Sequence, residues 1–167
     1  MTLFEGKTII LGTPTDHQFS AIIERELRHQ GFNVVNISYN TSDFKYRNIF
    51  ERLKSFAHKN FLEHTDYKVY LKSKRFEAQI LEQLSRVGIA DYALLIRPDQ
   101  YSHQVLDAIR SRAIHIVGYQ WDGLRRFPNV RKCMDYFDRF FVFDPNDIAD
   151  ENVLPLTNFY TNSFKIQ

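Results

Sequence analysis

The sequence predicts an α/β fold, a Rossmann-like three-layer sandwich with a mostly parallel sheet, as a single domain over residues 1–167. Three observations favour this fold. Short apolar runs alternate with segments of helical periodicity. The runs are apolar at consecutive positions, as in strands that are covered on both faces. The chain has 167 residues, of which 44% are hydrophobic and 25% are charged, and this is the size and composition of one globular domain.

Six apolar runs predict the strands. They occupy residues 8–11, 34–37, 92–96, 114–119, 140–143 and 153–156. Pro155 lies in the sixth run, so that strand should be irregular or at an edge of the sheet. The first two runs flank a helical pattern that ends near Gly31, which predicts a strand–helix–strand unit with a right-handed crossover. Residues 44–88 are helical throughout, so we expect a helical insertion between the second and third strands.

Charge and cysteine content exclude several classes of protein. Lysine and arginine number 22 against 20 aspartates and glutamates, a formal net charge of +2, which argues against binding to nucleic acid. The single cysteine, Cys133, excludes an intramolecular disulfide and a cysteine-rich zinc site.

No apolar run approaches the ~20 residues of a membrane helix, and the N-terminus has no cleavage signal. We therefore expect a cytoplasmic protein, with the inner face of the membrane as a second location.

In a parallel sheet, ligands bind beyond the carboxyl ends of the strands. The loops at those ends are residues 12–17, 97–103, 120–126 and 144–147. Their candidate substrate-binding residues are Thr13, Thr15, Arg97, Asp99, Trp121, Asp122 and Arg126. Their candidate catalytic residues are His17 and Asp16, because a histidine or carboxylate beside a sugar hydroxyl acts as a general base.

The first loop also has a structural interpretation. It lacks the further glycines of a dinucleotide-binding or P-loop motif, although a helix N-terminus there would favour an anion. Thr15 and Gln18 have the spacing of a capping box. In the structural interpretation, Thr15 or Asp16 caps the helix and His17 lies in solvent.

The loops after the third and fourth strands leave two interpretations open as well. Arg97 and Asp99 either contact a ligand, or they pair with each other or cap the next helix. Trp121 either stacks on a ring, while Asp122 and the arginines at 125 and 126 hold hydroxyl or phosphate groups, or it packs on the core. In the second case Asp122 pairs with Arg125.

Other chemical motifs are missing from the sequence. The six histidines show no metal-ligand spacing, so we expect no metal site. There is no G-x-S-x-G motif, which argues against an α/β-hydrolase. Cys133 lies in a predicted helix over residues 130–136, where we expect it to be inert packing.

The helical insertion is aromatic and basic. Its aromatic residues include Phe44, Tyr46, Phe50, Phe56 and Phe61, and the basic residues that follow are Lys68, Lys72, Lys74 and Arg75. Ile49, Leu53 and Ala57 share one apolar stripe with Phe44 and Phe50. Such a stripe is usually core, with the cations in solvent. The alternative is a surface that contacts an anionic membrane or a lipid-linked acceptor.

Four segments resemble bacterial lipopolysaccharide-biosynthesis or CgeB-like glycosyltransferases. They are residues 92–99, 119–128, 136–144 and 154–160, and the Trp-Asp-Gly and Arg-Phe-Pro motifs of the second are the most specific. The resemblance implies a GT-B arrangement, in which two Rossmann-like domains face each other across a cleft. In that plan the N-terminal domain receives the acceptor and the C-terminal domain binds the nucleotide-sugar. The sequence stops where the second domain would begin.

These observations lead to the hypothesis of an acceptor-side domain that serves transfer of a sugar from a nucleotide-sugar to a cell-surface polysaccharide or lipopolysaccharide. His17 or Asp16 would be the base, and Trp121, Asp122 and Arg126 would position the acceptor. We expect no cofactor or metal, and a donor site in a further domain or a partner transferase. Because transfer needs both halves of the cleft, we expect the chain alone to be inactive.

Two alternatives remain open. The first is a non-catalytic Rossmann-like module that docks onto a partner transferase. The second is a flavodoxin-like binder of a phosphorylated cofactor at residues 13–16, with Tyr119 or Trp121 stacked on the cofactor ring.

Overall fold

Six parallel strands form one sheet in the part of the chain that the computed structural model describes, which is residues 3–14, 19–38, 46, 48–61, 67–148 and 153–157. The strands are β1 Thr8–Gly12, β2 Asn33–Asn36, β3 Ala90–Ile96, β4 Ala113–Gln120, β5 Arg139–Val142 and β6 Val153–Pro155. The α-helices are α1 Phe19–His29, α2 Ile49–Phe61, α3 Tyr67–Ser85 and α4 His103–Arg110. Short 3₁₀-helices follow β3, β4 and β5 at Pro98–Gln100, Pro128–Tyr136 and Pro145–Asp147.

The strands lie in the order β2-β1-β3-β4-β5-β6, and each neighbouring pair is parallel. This confirms the predicted α/β sandwich with its helical insertion between β2 and β3. The first five strands have the order of flavodoxin-like doubly wound sheets, in which the winding reverses between β1 and β3. The carboxyl ends of β1 and β3 therefore flank the position where such sheets bind ligands.

The core lies on both faces of the sheet, because successive side chains of a strand point to opposite faces. On one face, Ile9 and Leu11 of β1 pack with Ile23 of α1. On the other face, Ile10 and Leu95 pack with apolar residues of α3 and α4. This two-sided burial explains why the sequence of each central strand is continuously apolar.

The two helices of the insertion differ in where their apolar residues lie. In α3, Ile80 and Leu84 are buried in the core. The large apolar residues of α2 are exposed instead, and these are Ile49, Phe50, Leu53 and Phe56. The core interpretation of this stripe is therefore wrong for α2. Phe44 and the side chains of Ala57, Phe61, Lys68, Lys72 and Arg75 lie outside the described part of the chain. Within the described residues, no helix is long and apolar enough to cross a membrane.

Asp144 and Pro155 fit their places at the ends and edge of the sheet. Asp144 Oδ1 accepts a hydrogen bond from the Asn146 amide and begins the 3₁₀-helix after β5. Pro155 lies in β6, an edge strand, where the lack of an N–H group is tolerated. Thr15 and Gln18, the predicted capping box, lie outside the described residues.

Candidate functional site

The carboxyl ends of β1 and β3 are paired neighbours, and the chain leaves β1 through a tightly packed turn. A Cβ on Gly12 would lie 2.5 Å from the Tyr101 hydroxyl oxygen, so this close approach requires glycine. The buried Thr13 donates its amide to Ser38 Oγ at 3.0 Å and its hydroxyl to the Pro14 carbonyl at 2.9 Å. Thr13, a predicted binding residue, thus uses both of its donors within the protein.

The segment that follows this turn carries the predicted catalytic residues. His17 and Asp16, together with the predicted binding residue Thr15, lie in residues 15–18, outside the described part of the chain. Their roles therefore stay predictions. Helix α1 begins at Phe19, directly after the segment, and the partial positive charge of a helix N-terminus favours anions there.

Arg97 follows β3 and has an uncommon backbone conformation. Its φ of 58° and ψ of 58° are left-handed, and no other described residue except glycine has a positive φ. Its guanidinium binds both carboxylate oxygens of Asp99, at 3.0 Å each, and lies 3.7 Å from the ring centre of Phe127. The side chain is only 12% exposed. The structural interpretation, in which Arg97 and Asp99 pair with each other, is confirmed.

Asp122 connects the loop after β4 to Arg97. Its Oδ2 accepts a hydrogen bond from Arg97 Nη1 at 3.3 Å, and its Oδ1 lies 3.7 Å from Arg126 Nη1. The expected pairing of Asp122 with Arg125 is thus replaced by these two contacts. We call Arg97, Asp99, Asp122 and Arg126 the strand-end cluster. Its outer members are Asp122, whose side chain is 28% exposed, and Arg126, at 76%.

Trp121 directly precedes Asp122 in the chain and packs against the core. Its ring meets Phe19 of α1 edge to face, at 5.3 Å between centres, and the side chain is half-buried. Packing of Trp121 on the core is therefore confirmed, although the residue is only half-buried. Tyr119 is buried in the same core cluster, and burial raises the pKa of its hydroxyl. Stacking of Tyr119 on a bound cofactor ring is excluded by this burial.

The loop after β5 supports the loop after β4 through a buried carboxylate. Asp147 Oδ2 accepts a hydrogen bond from the Leu124 amide at 2.7 Å, and the Asp147 side chain is buried. Gly123 lies against the same loop, since a Cβ there would be 3.3 Å from Asp144 Oδ2. Sequence reasoning missed this role of Asp147, because the two partners are 23 positions apart and no motif connects them.

Gln120, the last residue of β4, was also missed. It is fully buried, and neither its amide nitrogen Nε2 nor its amide oxygen Oε1 has a hydrogen-bond partner among the described residues. A buried polar group without a partner costs about 1–3 kcal/mol, so such groups need an explanation. The signal in the sequence is a glutamine that directly continues an apolar strand.

Cys133 is packed in the core cluster that also contains residues of α3 and α4. It is buried, and its thiol donates to the Val130 carbonyl at 3.0 Å. Burial, and next the negative charge of Asp99, raise the pKa of the thiol to about 12. The prediction that Cys133 is a packing residue is confirmed. Within the described ranges, no three His, Cys, Asp or Glu side chains are grouped so as to hold a metal ion.

No protein-family model, curated protein or solved structure matches this chain. The resemblance to glycosyltransferases therefore depends on the sequence motifs alone. The parallel sheet and the strand-end cluster are the features from which a function is argued.

Proposed function

We propose that the chain is the acceptor-side domain of a glycosyltransferase acting on bacterial polysaccharide or lipopolysaccharide. The observation that carries this proposal is the strand-end cluster beside Trp121, at the edge where parallel α/β sheets bind ligands. A nucleotide-sugar donor would be bound by a further domain or by a partner transferase.

The strand-end cluster has the chemistry needed to orient a sugar. A carboxylate accepts hydrogen bonds from hydroxyl groups, and the side chain of Asp122 is 28% exposed. Arg126 offers donors for ring or hydroxyl oxygens, and the accessible part of Trp121 offers an apolar surface for the face of the sugar ring.

Arg97 acts as a positioning residue in this proposal. Its guanidinium is fixed by Asp99 on one side and by the Phe127 ring on the other. Asp122 is therefore held by a cation that itself has little freedom to move. A group fixed in this way loses little entropy when it binds a ligand.

The two residues proposed as the base lie outside the described part of the chain. In the proposal, His17 or Asp16 takes the proton from the acceptor hydroxyl as its oxygen attacks the anomeric carbon of the donor. The new bond joins that oxygen to the anomeric carbon, and the bond to the nucleoside diphosphate breaks. Positive side chains and helix N-termini stabilise the departing diphosphate.

Intrinsic fluorescence tests the acceptor site, because Trp121 is the single tryptophan of the chain. Oligosaccharides released from bacterial lipopolysaccharide cores and capsules serve as probes. We expect a saturable change in emission with one of these classes. Asp122→Asn should weaken binding about tenfold, since a good hydrogen bond to a charged group contributes about 1.5 kcal/mol.

The matched control is Asp135→Asn, which removes an exposed carboxylate of the 3₁₀-helix that follows the Arg-Phe-Pro motif. It should leave binding unchanged. Absence of a saturable signal with every oligosaccharide, or equal affinities of the wild type and Asp122→Asn, would remove the proposed acceptor site.

The strand order favours one second candidate, a domain that binds a phosphorylated cofactor. In flavodoxin-like sheets the cofactor lies at the reversal between β1 and β3. Trp121, which is half-buried against Phe19 of α1, offers an aromatic ring beside the helix that follows β1. Titration with flavin mononucleotide tests this function, because stacking on Trp121 quenches flavin fluorescence. Saturable quenching without oligosaccharide binding would favour the cofactor domain over the acceptor domain.

A further inference from the structure

Helix α2 exposes a stripe of large apolar side chains. Their exposed fractions are 68% for Ile49, 73% for Phe50, 58% for Leu53 and 66% for Phe56. Ile49, Leu53 and Phe56 have the spacing that places side chains on one helix face, and Phe50 lies one turn before Leu53. We call these four residues the α2 stripe. Contiguous exposed apolar surface of this kind is typical of an interaction site.

In the first two turns of α2, the polar residues Glu51 and Ser55 lie on the less exposed side. Glu51 and Ser55, one turn apart, are both half-buried, and Ser55 Oγ accepts a hydrogen bond from the Tyr46 hydroxyl at 2.9 Å. A helix that covers a core has the opposite arrangement, with its apolar face inward. The orientation of α2 therefore makes the α2 stripe a surface feature of the folded protein.

Exposed cations border both sides of the α2 stripe. Arg52 lies one turn before Phe56, and Lys54 lies one turn after Phe50, and both side chains are exposed. The acidic residue of this helix, Glu51, belongs to the less exposed side. Long basic side chains beside an apolar stripe extend to the headgroup level while the apolar side chains enter the lipid.

We propose that α2 binds the protein to the surface of a membrane that contains anionic lipids. The α2 stripe lies at the boundary between headgroups and acyl chains, and Arg52 and Lys54 contact the anionic headgroups. A second copy of the chain fits this surface less well, because two facing stripes bring the cations of both copies together. This inference does not depend on the proposed glycosyltransferase function.

Co-sedimentation of the full chain with lipid vesicles tests the proposal. The two vesicle types are phosphatidylcholine alone and phosphatidylcholine mixed with phosphatidylglycerol. We expect binding to the mixed vesicles, and weaker binding at high salt because ions screen exposed charges. Arg52→Gln and Lys54→Gln should each lower the partition coefficient about fivefold.

The apolar contribution is tested with one matched pair of variants. Ile49→Ser removes a side chain of the α2 stripe, and Ile89→Ser removes an isoleucine of equal exposure, 68%, in the loop before β3. We expect Ile49→Ser to lower partitioning about tenfold and Ile89→Ser to leave it unchanged. Circular dichroism checks that both variants are folded, as expected for exposed positions.

Three results would overturn the proposal. The first is the absence of wild-type binding to the mixed vesicles. The second is an equal loss of binding in Ile49→Ser and Ile89→Ser. The third combines two observations: the protein does not bind vesicles, and sedimentation velocity shows a concentration-dependent dimer that Phe50→Ser abolishes. This result would assign the α2 stripe to a second copy of the chain.

Discussion

Arg97 shows how one residue holds two loops together. A left-handed backbone costs a residue other than glycine about 1 kcal/mol or more. This conformation accompanies a side chain that binds Asp99, reaches Asp122 and lies over the Phe127 ring. The contacts offset the backbone cost, so the loops after β3 and β4 are fixed relative to each other.

Arg97→Gln should lower the free energy of unfolding by about 3 kcal/mol, because it leaves the largely buried Asp99 carboxylate without its cation. Urea denaturation measures this change. Arg125→Gln, an exposed arginine in the loop after β4, is the control and should change stability by less than about 0.5 kcal/mol. Equal effects of the two variants would show that the Arg97 contacts contribute nothing specific.

Gly12→Ala should destabilise the protein by about 1–3 kcal/mol, because overpacked positions force neighbouring atoms to shift. The added methyl group would meet the Tyr101 hydroxyl at 2.5 Å and Leu95 Cδ2 at 2.6 Å. Thermal or urea unfolding measures the change. Gly88→Ala is the control, since a Cβ there has nothing within 4 Å. A Gly12→Ala variant with the stability of the wild type would contradict the close packing described around Gly12.

At the scale of elements, the strands were predictable, because a strand that is buried on both faces has a continuous apolar run in its own sequence. Continuous apolar runs such as that of β3 require no knowledge of distant partners. The position of α2 was not predictable, since periodicity shows that a helix has two faces but not which face meets the protein. Leu53 and Ile80 belong to equally periodic stripes, yet Leu53 is exposed and Ile80 is buried.

The contacts of the candidate site also include some that the sequence could predict and some that it could not. The Arg97–Asp99 pair was predictable, because the two residues are close in sequence at a strand end. The contact of Arg97 with Asp122 spans 25 positions and arises only when β3 and β4 lie side by side. Whether the side-chain amide of Gln120 finds a hydrogen-bond partner likewise depends on tertiary packing, which the sequence alone does not show.

Ser102→Ala should lower the free energy of unfolding by about 1 kcal/mol through loss of a helix N-cap. Ser102 Oγ accepts a hydrogen bond from the Val105 amide at 3.3 Å, and Val105 is buried against the sheet. Urea denaturation measures the effect. Ser102→Asp keeps a capping oxygen and should retain most of the stability. If the free energy of unfolding falls by the same amount in both variants, the Ser102 hydroxyl does not act as a cap.

At the scale of the whole molecule, two carboxylates join separate elements and make stability depend on pH. Hydrogen bonds from the Arg110 side chain and then the Ile116 amide hold the pKa of Asp138 below its usual value of 3.8. Hydrogen bonds from Lys7 and then the Thr8 amide lower the pKa of Asp91 in the same way. A lowered folded-state pKa stabilises the fold above the unfolded pKa, and this stabilisation is lost as pH falls through the folded pKa.

The urea midpoint should therefore decrease as the pH falls below about 4, the usual range of an aspartate in an unfolded chain. Asp138→Asn should be less stable than the wild type at neutral pH and should show a smaller decrease with acid. Urea titrations at neutral and acidic pH measure both effects. Asp135→Asn, in an exposed position, should keep the wild-type pH dependence. An unchanged acid response in Asp138→Asn would show that this carboxylate does not contribute to it.

The pairing of β1 with β3 has a consequence for how the chain folds. Thr8 and Asp91, which meet there, are 83 positions apart, whereas Ile116 and Asp138, beside β4 and β5, are separated by 22. Closing a longer loop costs more entropy, and contacts between distant residues slow folding. During synthesis on a ribosome, β1 has no central partner until β3, residues Ala90–Ile96, has been translated. Until then one side of β1 remains open to pairing with other chains.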